Sequence, residues 1–323
     1  MQYRKFGRTG WQVSDIGYGM WGMGGWSGSD DDESLASLQR SVDLGCNFFD
    51  TAYVYGNGRS EGLLGKLVHA NPDKRLYTAT KIPPKNMAYP TLPEHSLGDC
   101  YPPEHIEEFL HKSLKNTELE RFDRLQLHTW NDDWTDGNGW SDMFDSLKRQ
   151  GLIGACGISI NRWEPWNGVK AVRSGKIDSV QVIYNIFDQN PEDDLFPACE
   201  EMDVAVIARV PFDEGTLTGT LTKETTFPAD DWSSGYFTPE NLIPSVDRAE
   251  ALRPMIPSGS SMPELALRFI LSQPAVSTII PGMRKANHVE SNIAASDLGP
   301  LDTGLLTKLN DHRWVRKPAP WSD

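Results

Sequence analysis

The chain has 323 residues, 38% hydrophobic and 24% charged, the profile of an ordinary globular protein with a sizeable core. Its formal net charge of −14 argues against a nucleic-acid face, which needs basic character, and against an anionic membrane surface. An acidic total still permits phosphate binding at one spot.

The opening stretch MQYRKFGRTG lacks the apolar segment of a secretion signal, and no apolar run reaches the length of about 18 that spans a bilayer. A cytoplasmic location is expected. Cys46, Cys100, Cys156 and Cys199 are scattered without Cys-x-x-Cys or Cys/His ligand spacing, so reduced packing cysteines and no metal site are expected.

Tyr3 to Gly17 carries the turn signal Gly7-Arg8-Thr9-Gly10 between strand-type residues, which predicts a hairpin ahead of the main fold. Short apolar runs follow at residues 16–20, 47–52, 76–82, 124–129, 153–159, 179–185, 204–210 and 276–281. Their length and turn-bounded character suit strands buried on both faces. Between them lie amphipathic segments at residues 31–44, 60–70, 102–114, 141–150, 164–174, 193–202, 244–255 and 263–271. The first has acids in its opening turn and Gly45 just past its end, and the third opens on Pro102-Pro103-Glu104. Strands alternating with helices predict a parallel sheet with right-handed crossovers, and this many units suit a closed (β/α)8 TIM barrel in one domain. An open doubly wound sheet is the alternative that the same pattern allows. The connections at residues 83–101 and 219–242 are long enough to form lids or binding surfaces on the C-terminal rim.

Gly17-Tyr18-Gly19-Met20-Trp21-Gly22 matches G-x-G-x-x-G after a predicted strand. The dinucleotide fingerprint needs a helix to open at the third glycine, and the glycine-rich residues that follow cannot form one. These glycines are better read as a close backbone approach to a ligand at the barrel mouth.

Asp50 closes the second barrel strand, Tyr55 lies in the loop after it, Lys81 closes the third strand and His128 the fourth. In a barrel these strand ends share one rim, where active sites sit. Each residue also has a plain structural reading: a cap, a solvated strand end, a core histidine, a packing aromatic. Four titratable groups on adjacent strand ends argue for chemistry. A phenol is a poor acid at neutrality, and lowering its pKa by about 3 needs about 4 kcal/mol of differential interaction. A desolvated Lys81, kept charged by Asp50, is a source of that interaction. Neutral His128 could donate to a carbonyl oxygen as charge develops there. The set fits acid-assisted carbonyl reduction, and no side chain here supplies hydride, so a cofactor is implied.

The motifs Tyr3 to Gly10, Asp50-Thr51-Ala52-Tyr53-x-Tyr55-Gly56, Lys81, His128, Gly157-Ile158-Ser159, Gln181, residues 211–219 and Ile280-Pro281-Gly282-Met283-Arg284 resemble, in this order, the aldo-keto reductase family. The resemblance implies a metal-independent (β/α)8 barrel reducing aldehydes or ketones with NADPH. It makes Tyr55 the general acid, supported by Asp50, Lys81 and His128. It also implies a cofactor bed. Gly19, Met20, Trp21 and Asp50 are among its residues, with Ser159 and Gln181 at the nicotinamide carboxamide. The run Arg209-Val210-Pro211-Phe212 belongs to the same bed, and the loop with Gly215, Leu217 and Gly219 resembles the one that folds over the pyrophosphate. Gly282, Arg284, His288 and Asn292 lie near the adenosine. The asparagine that usually follows the serine stands one place later, as Asn161. Arg209 occupies a position where many members stack an aromatic residue on the nicotinamide. It either stacks there as a flat cation or pairs with Asp213 or Glu214. Arg284 favours NADPH because a guanidinium can fork onto a 2′-phosphate, with NADH the alternative.

Trp21, Trp26, Trp130, Trp134, Trp232 and Tyr236 are predicted on the rim, with Trp21, Tyr55, His128 and Trp130 lining the substrate pocket. Such a surface suits an aromatic or sugar-like carbonyl. Asp132, Asp133, Asp136, Asp230 and Asp231 either disfavour anionic substrates or form a solvated loop surface. The rival functions are an NADPH-binding redox-sensing partner subunit, as the resemblance allows, and a barrel hydrolase or isomerase, which would want a second paired carboxylate.

Overall fold

The computed structural model describes residues 1–26, 28–137 and 139–316. The hairpin forms as expected: β1 (Tyr3–Phe6) pairs antiparallel with β2 (Trp11–Ser14) across the turn Gly7–Thr9. Gly7 has φ 48°, and a Cβ there would stand 2.6 Å from the Ala205 nitrogen, so the turn needs glycine to lie against the sheet. Phe6, Val13 and Trp11 pack on Phe48, Tyr77, Ala205 and Ile207, closing the N-terminal end of the barrel.

The barrel strands are β3 (Tyr18–Gly19), β4 (Phe48–Asp50), β5 (Tyr77–Ile82), β6 (Phe122–Leu127), β7 (Ile153–Ser159), β8 (Ser179–Ile183), β9 (Ala205–Arg209) and β10 (Val276–Ile279). Each runs parallel to the next. The bridges Ile16–Ile279 and Gly19–Gly282 join the last strand to the first. The sheet is therefore a closed barrel rather than an open doubly wound one. Side chains alternate inward and outward along each strand. Phe48, Ala79, Ala205 and Ile207 form the deep layer against the hairpin. Asp50, Lys81, Arg124, Gln126 and Gln181 make a buried polar layer above them.

Local signals explain most helix starts. Asp30 caps Asp31–Asp43 by accepting from the Glu33 amide at 2.9 Å, and Ser261 caps Met262–Leu271 in the same manner. Pro103 opens Pro103–Thr117 at a position whose missing N–H costs nothing. Three differences from the sequence reading have physical causes. The segment expected at 164–174 is helical only over Val169–Arg173, because Trp163 adopts φ 58° and Gly168 delays the start. The helix expected at 244–255 begins at Pro239 and runs through Pro244 to Leu252. It lies with Met262–Leu271 between β9 and β10, and the helix that follows β10 is Ala286–Leu298, which the sequence reading missed. In that helix apolar and polar residues are not segregated to clear faces.

The long connections lie on the C-terminal rim. Residues 83–101 carry Tyr89 to His128, with ring centroids 5.2 Å apart, and the segment Trp232–Tyr236 brings Trp232 to Trp21 at 5.9 Å.

Candidate active site

The ends of β4 and β5 place a carboxylate beside an ammonium. Lys81 Nζ donates to Asp50 Oδ1 and to the Thr51 carbonyl at 2.6 Å, and it lies 3.3 Å from Tyr55 Oη. Both charged residues are buried, at 1% and 2% exposure. The loop after β4 returns the phenol over this pair: Nζ stands 4.8 Å from the Tyr55 ring centroid. His128, just past β6, meets the same ring edge-on at 5.9 Å. The structure thus gathers Asp50, Tyr55, Lys81 and His128 around one point at the barrel mouth.

Burial drives the His128 imidazole well below its ordinary pKa, and the Lys81 and Arg209 charges push the same way, so it is neutral near pH 7. Burial also lowers Lys81, against the opposing pull of Asp50. Tyr55 departs from the sequence reading, which expected Lys81 to lower the phenol. Its pKa is raised, first by burial and then by the Asp50 carboxylate, with Arg209 acting weakly the other way. The ammonium is already neutralised by Asp50, so the phenol faces an ion pair rather than a bare cation. Tyr55 holds its proton in this state.

Below the mouth, Gln181 Nε2 donates to Asp50 Oδ2 at 3.0 Å, and Gln126 Nε2 donates to Gln181 Oε1 at 3.1 Å. Gln181, expected at a carboxamide, is thus engaged on both sides of its amide inside the barrel. Ser159 lies in register with it, buried at the end of β7. Asn161 is turned to the rim loop, its Nδ2 donating to the Thr91 carbonyl and to Glu164 Oε2, both at 3.1 Å. That bond set ties the 83–101 connection to the end of β7.

Arg209 pairs with neither proposed carboxylate. Asp213 is bound by Arg316, and Glu214 by Arg162 at 2.9 Å. Arg209 Nη2 donates to the Ile160 carbonyl at 3.2 Å, while its Nε is buried with no hydrogen-bond partner. Burial and the neighbouring Arg162 lower its pKa to about 10. A flat cation with an unmet donor therefore stands at the end of β9, in the electrostatic reach of Tyr55 and His128.

From Arg209 the chain enters a strained loop. Val210, Asp213 and Glu214 have φ of 55°, 48° and 56°, values uncommon outside glycine and least favourable for the β-branched Val210. Arg162 and Arg316 hold it through Glu214 and Asp213. Pro211 is buried, Phe212 packs on the core, and Leu217 and Met20 are wholly buried, so the latter two can offer a ligand only backbone. Gly215 and Gly219 both take positive φ in this loop. On the far side Gly282 is exposed, Arg284 lies against Gly22, His288 is exposed and Asn292 is buried in its helix. A Cβ on Gly22 would approach Arg284 Cδ to 2.9 Å, so this glycine lets the guanidinium-bearing chain lie across the end of β3.

The tryptophans divide into two sets. Trp21, Trp26 and Trp232 form a wall, with Trp26 edge-on to Tyr55 at 6.2 Å and Trp21 5.2 Å from Trp26. Trp130 does not line the pocket. It is fully buried, donates Nε1 to Asp132 Oδ1 at 3.0 Å and packs on Trp134 and Trp140. Tyr236 is buried too, accepting from Arg316 at 3.1 Å. Asp132 accepts from the Lys170 and Ala171 amides and Asp136 pairs with Lys170, so these acids fasten loops rather than face the mouth. Sequence reading missed Tyr89, whose ring completes the wall beside His128. It also missed Arg124, whose signal was a charged residue inside a strand covered on both faces.

The Aldo/keto reductase family model matches residues 15–313. The chain is an aldo-keto reductase. Among its relatives, the oxidoreductase YqkF of Bacillus subtilis is 30% identical over 97% of this chain and 96% of its own. The NADH-specific methylglyoxal reductase of Escherichia coli is 26% identical over 92% of this chain and 94% of its own. The solved glycerol dehydrogenase AKR11B4 of Gluconobacter oxydans superposes with a TM-score of 0.79 at 25% identity, covering 99% of this chain and 98% of that one. This aldo-keto reductase is accordingly an NAD(P)H-dependent oxidoreductase of small carbonyl compounds. Among the described residues no helix is long and apolar enough to cross a membrane, and no group of three His, Cys, Asp or Glu side chains could hold a metal ion.

Proposed function

We propose that this aldo-keto reductase reduces an aldehyde or ketone with NADPH, and that Tyr55 delivers the proton. The observation that carries the reading is the Asp50–Lys81–Tyr55 chain of contacts, with Nζ bonded to Asp50 and 3.3 Å from the phenol oxygen. The cofactor supplies hydride when bound. Tyr55, protonated and half-buried, is poised as the acid. As its proton leaves, Lys81 stabilises the phenolate oxygen, and Asp50 keeps the ammonium oriented. Neutral His128 steadies the carbonyl oxygen from the opposite side by hydrogen bonding.

The residues fit a dinucleotide. Arg209, with its buried unmet Nε, forms a flat bed beside Tyr55 and bonds the carbonyl of Ile160, the residue after Ser159. The backbone of the 210–219 loop, including Gly215 and Gly219, would take the pyrophosphate. Arg284 and His288, in the loop and the helix that follow β10, would meet the adenosine phosphate. Arg284 supports NADPH, and the name of the E. coli relative makes NADH the alternative to test. The wall of Trp21, Trp26, Trp232 and Tyr89 supports an aromatic or sugar-like carbonyl, whose flat apolar faces stack on rings.

Loss of the nicotinamide absorbance with 4-nitrobenzaldehyde, run with NADPH and NADH in parallel, tests the reading. Tyr55→Phe should abolish turnover and leave NADPH binding intact. Full activity in that variant would overturn the assignment.

A further inference from the structure

Asp50 has a second buried cation beneath it. Arg124, an inward residue of β6, is fully buried, and its Nε donates to Ser179 Oγ at 2.6 Å. Its Nη1 lies 3.9 Å from Asp50 Oδ2, and neither Nη1 nor Nη2 has a hydrogen-bond partner. Gly157 on β7 makes the space, since a Cβ there would stand 2.7 Å from Nη2 and 2.5 Å from Ser179 Oγ. Asp50 therefore stands between Lys81 on the mouth side and Arg124 on the deep side, and Gln181 donates to the same oxygen that Arg124 faces.

A buried guanidinium with two unmet nitrogens is a poor device for stability, because desolvation outweighs a long-range attraction and an apolar side chain would fill the space as well. Its effect is electrical. Lys81 and Arg124 are cations at the carboxylate of Asp50, Arg209 acts on Lys81 from further away, and His128 is neutral near pH 7. We propose that Arg124 is a positioning residue that shares the charge of Asp50 with Lys81, leaving the Lys81–Tyr55 pair readier to release its proton. The proposal rests on Tyr55 as the proton donor. Its direction agrees with Lys81, where Arg124 and Arg209 add to the lowering by burial and oppose Asp50.

Several other titratable groups surround this pair. Arg209 faces it from β9 and His128 from the end of β6, and Glu61 lies near Lys81 from the helix Arg59–Ala70. Tyr89 approaches Tyr55 from the rim, while Cys156 and Asp178 face Arg124 from below. Replacing Arg124 alone then isolates its charge.

The test is the pH profile of kcat/KM for 4-nitrobenzaldehyde reduction between about pH 6 and 10, compared for the full-length wild type, Arg124→Met and Arg124→Lys. Removing a unit charge at this range should raise the alkaline limb by about one pH unit. One pH unit above the wild-type midpoint, Arg124→Met should thus keep severalfold more of its plateau activity. Arg124→Lys should return the limb toward wild type, and the NADPH dissociation constant should be unchanged in both. Arg124→Gln, which keeps a donor for Ser179, should show the same displacement if the apolar variant does not fold. Limbs that superimpose in a folded, NADPH-binding uncharged variant would overturn the proposal, as would Arg124→Lys displaced as far as Arg124→Met. An active Tyr55→Phe enzyme would instead remove the proton donor on which the proposal rests, so the two failures are distinct.

Discussion

Asp50→Asn tests the buried charge arrangement most directly. The substitution keeps shape and volume but leaves Lys81 and Arg124, both buried, facing an amide. Removing one partner of a buried pair costs about 3–5 kcal/mol, because the remaining charge is desolvated without compensation. At roughly 2 °C per kcal/mol for a large domain, the melting temperature should fall by roughly 6–10 °C at pH 7. The loss should depend on pH. Asp50 is the strongest influence holding the Lys81 pKa up, so its removal drops the folded-state pKa further below the unfolded value. Between those two values the unfolded chain binds the additional proton, and stability rises with pH by up to about 1.4 kcal/mol per unit. Thermal melts followed by circular dichroism from about pH 6.5 to 9.5 should show Asp50→Asn recovering toward wild type at the alkaline end. A loss under about 1 kcal/mol, flat across that range, would refute the view that Lys81 is a buried ammonium held by this carboxylate.

The remaining predictions concern the neutral histidine and the loop clasp. Because burial holds the His128 pKa well below 6.5, wild-type kcat/KM should show no imidazole limb between about pH 6 and 8, and His128→Asn should lower kcat by about a hundredfold in steady-state assays. Arg316 is buried against Asp213 and Asp188, and the Asp188 pKa is already raised to about 6, chiefly by burial. Arg316→Met should cost about 3–5 kcal/mol near pH 7.5 in denaturant titrations. That loss should shrink as pH falls toward 5, because the raised Asp188 carboxylate takes up a proton in the folded state. NADPH binding by fluorescence quenching should weaken in the same variant, since Asp213 anchors the strained 210–219 loop.

Alternation of short buried strands with capped helices was enough to read the barrel, because each strand lies between a helix layer and the core and needs continuous apolar residues. The positions of Asp50, Lys81 and His128 at strand ends placed them on one rim for the same reason. The helix Ala286–Leu298 escaped because its faces are not segregated, so tertiary packing rather than periodicity determines it. Trp130 could not be told from Trp21 by spacing. One follows a strand into the core and the other lies on the rim, 42% exposed, and only packing separates the two.

The residue types and their order along the chain determined by themselves which groups could do acid-assisted reduction. Tertiary structure decided how their charges combine. The Tyr55 phenol is raised rather than lowered, first by its burial and then by the Asp50 carboxylate that Lys81 is paired with. Arg209 is left without a carboxylate because Arg162 and Arg316 take Glu214 and Asp213. Arg124 reaches Asp50 across the barrel from a strand that is not its neighbour. Electrostatic energy depends on distance and burial, and both are set only when strands distant in sequence close around one interior.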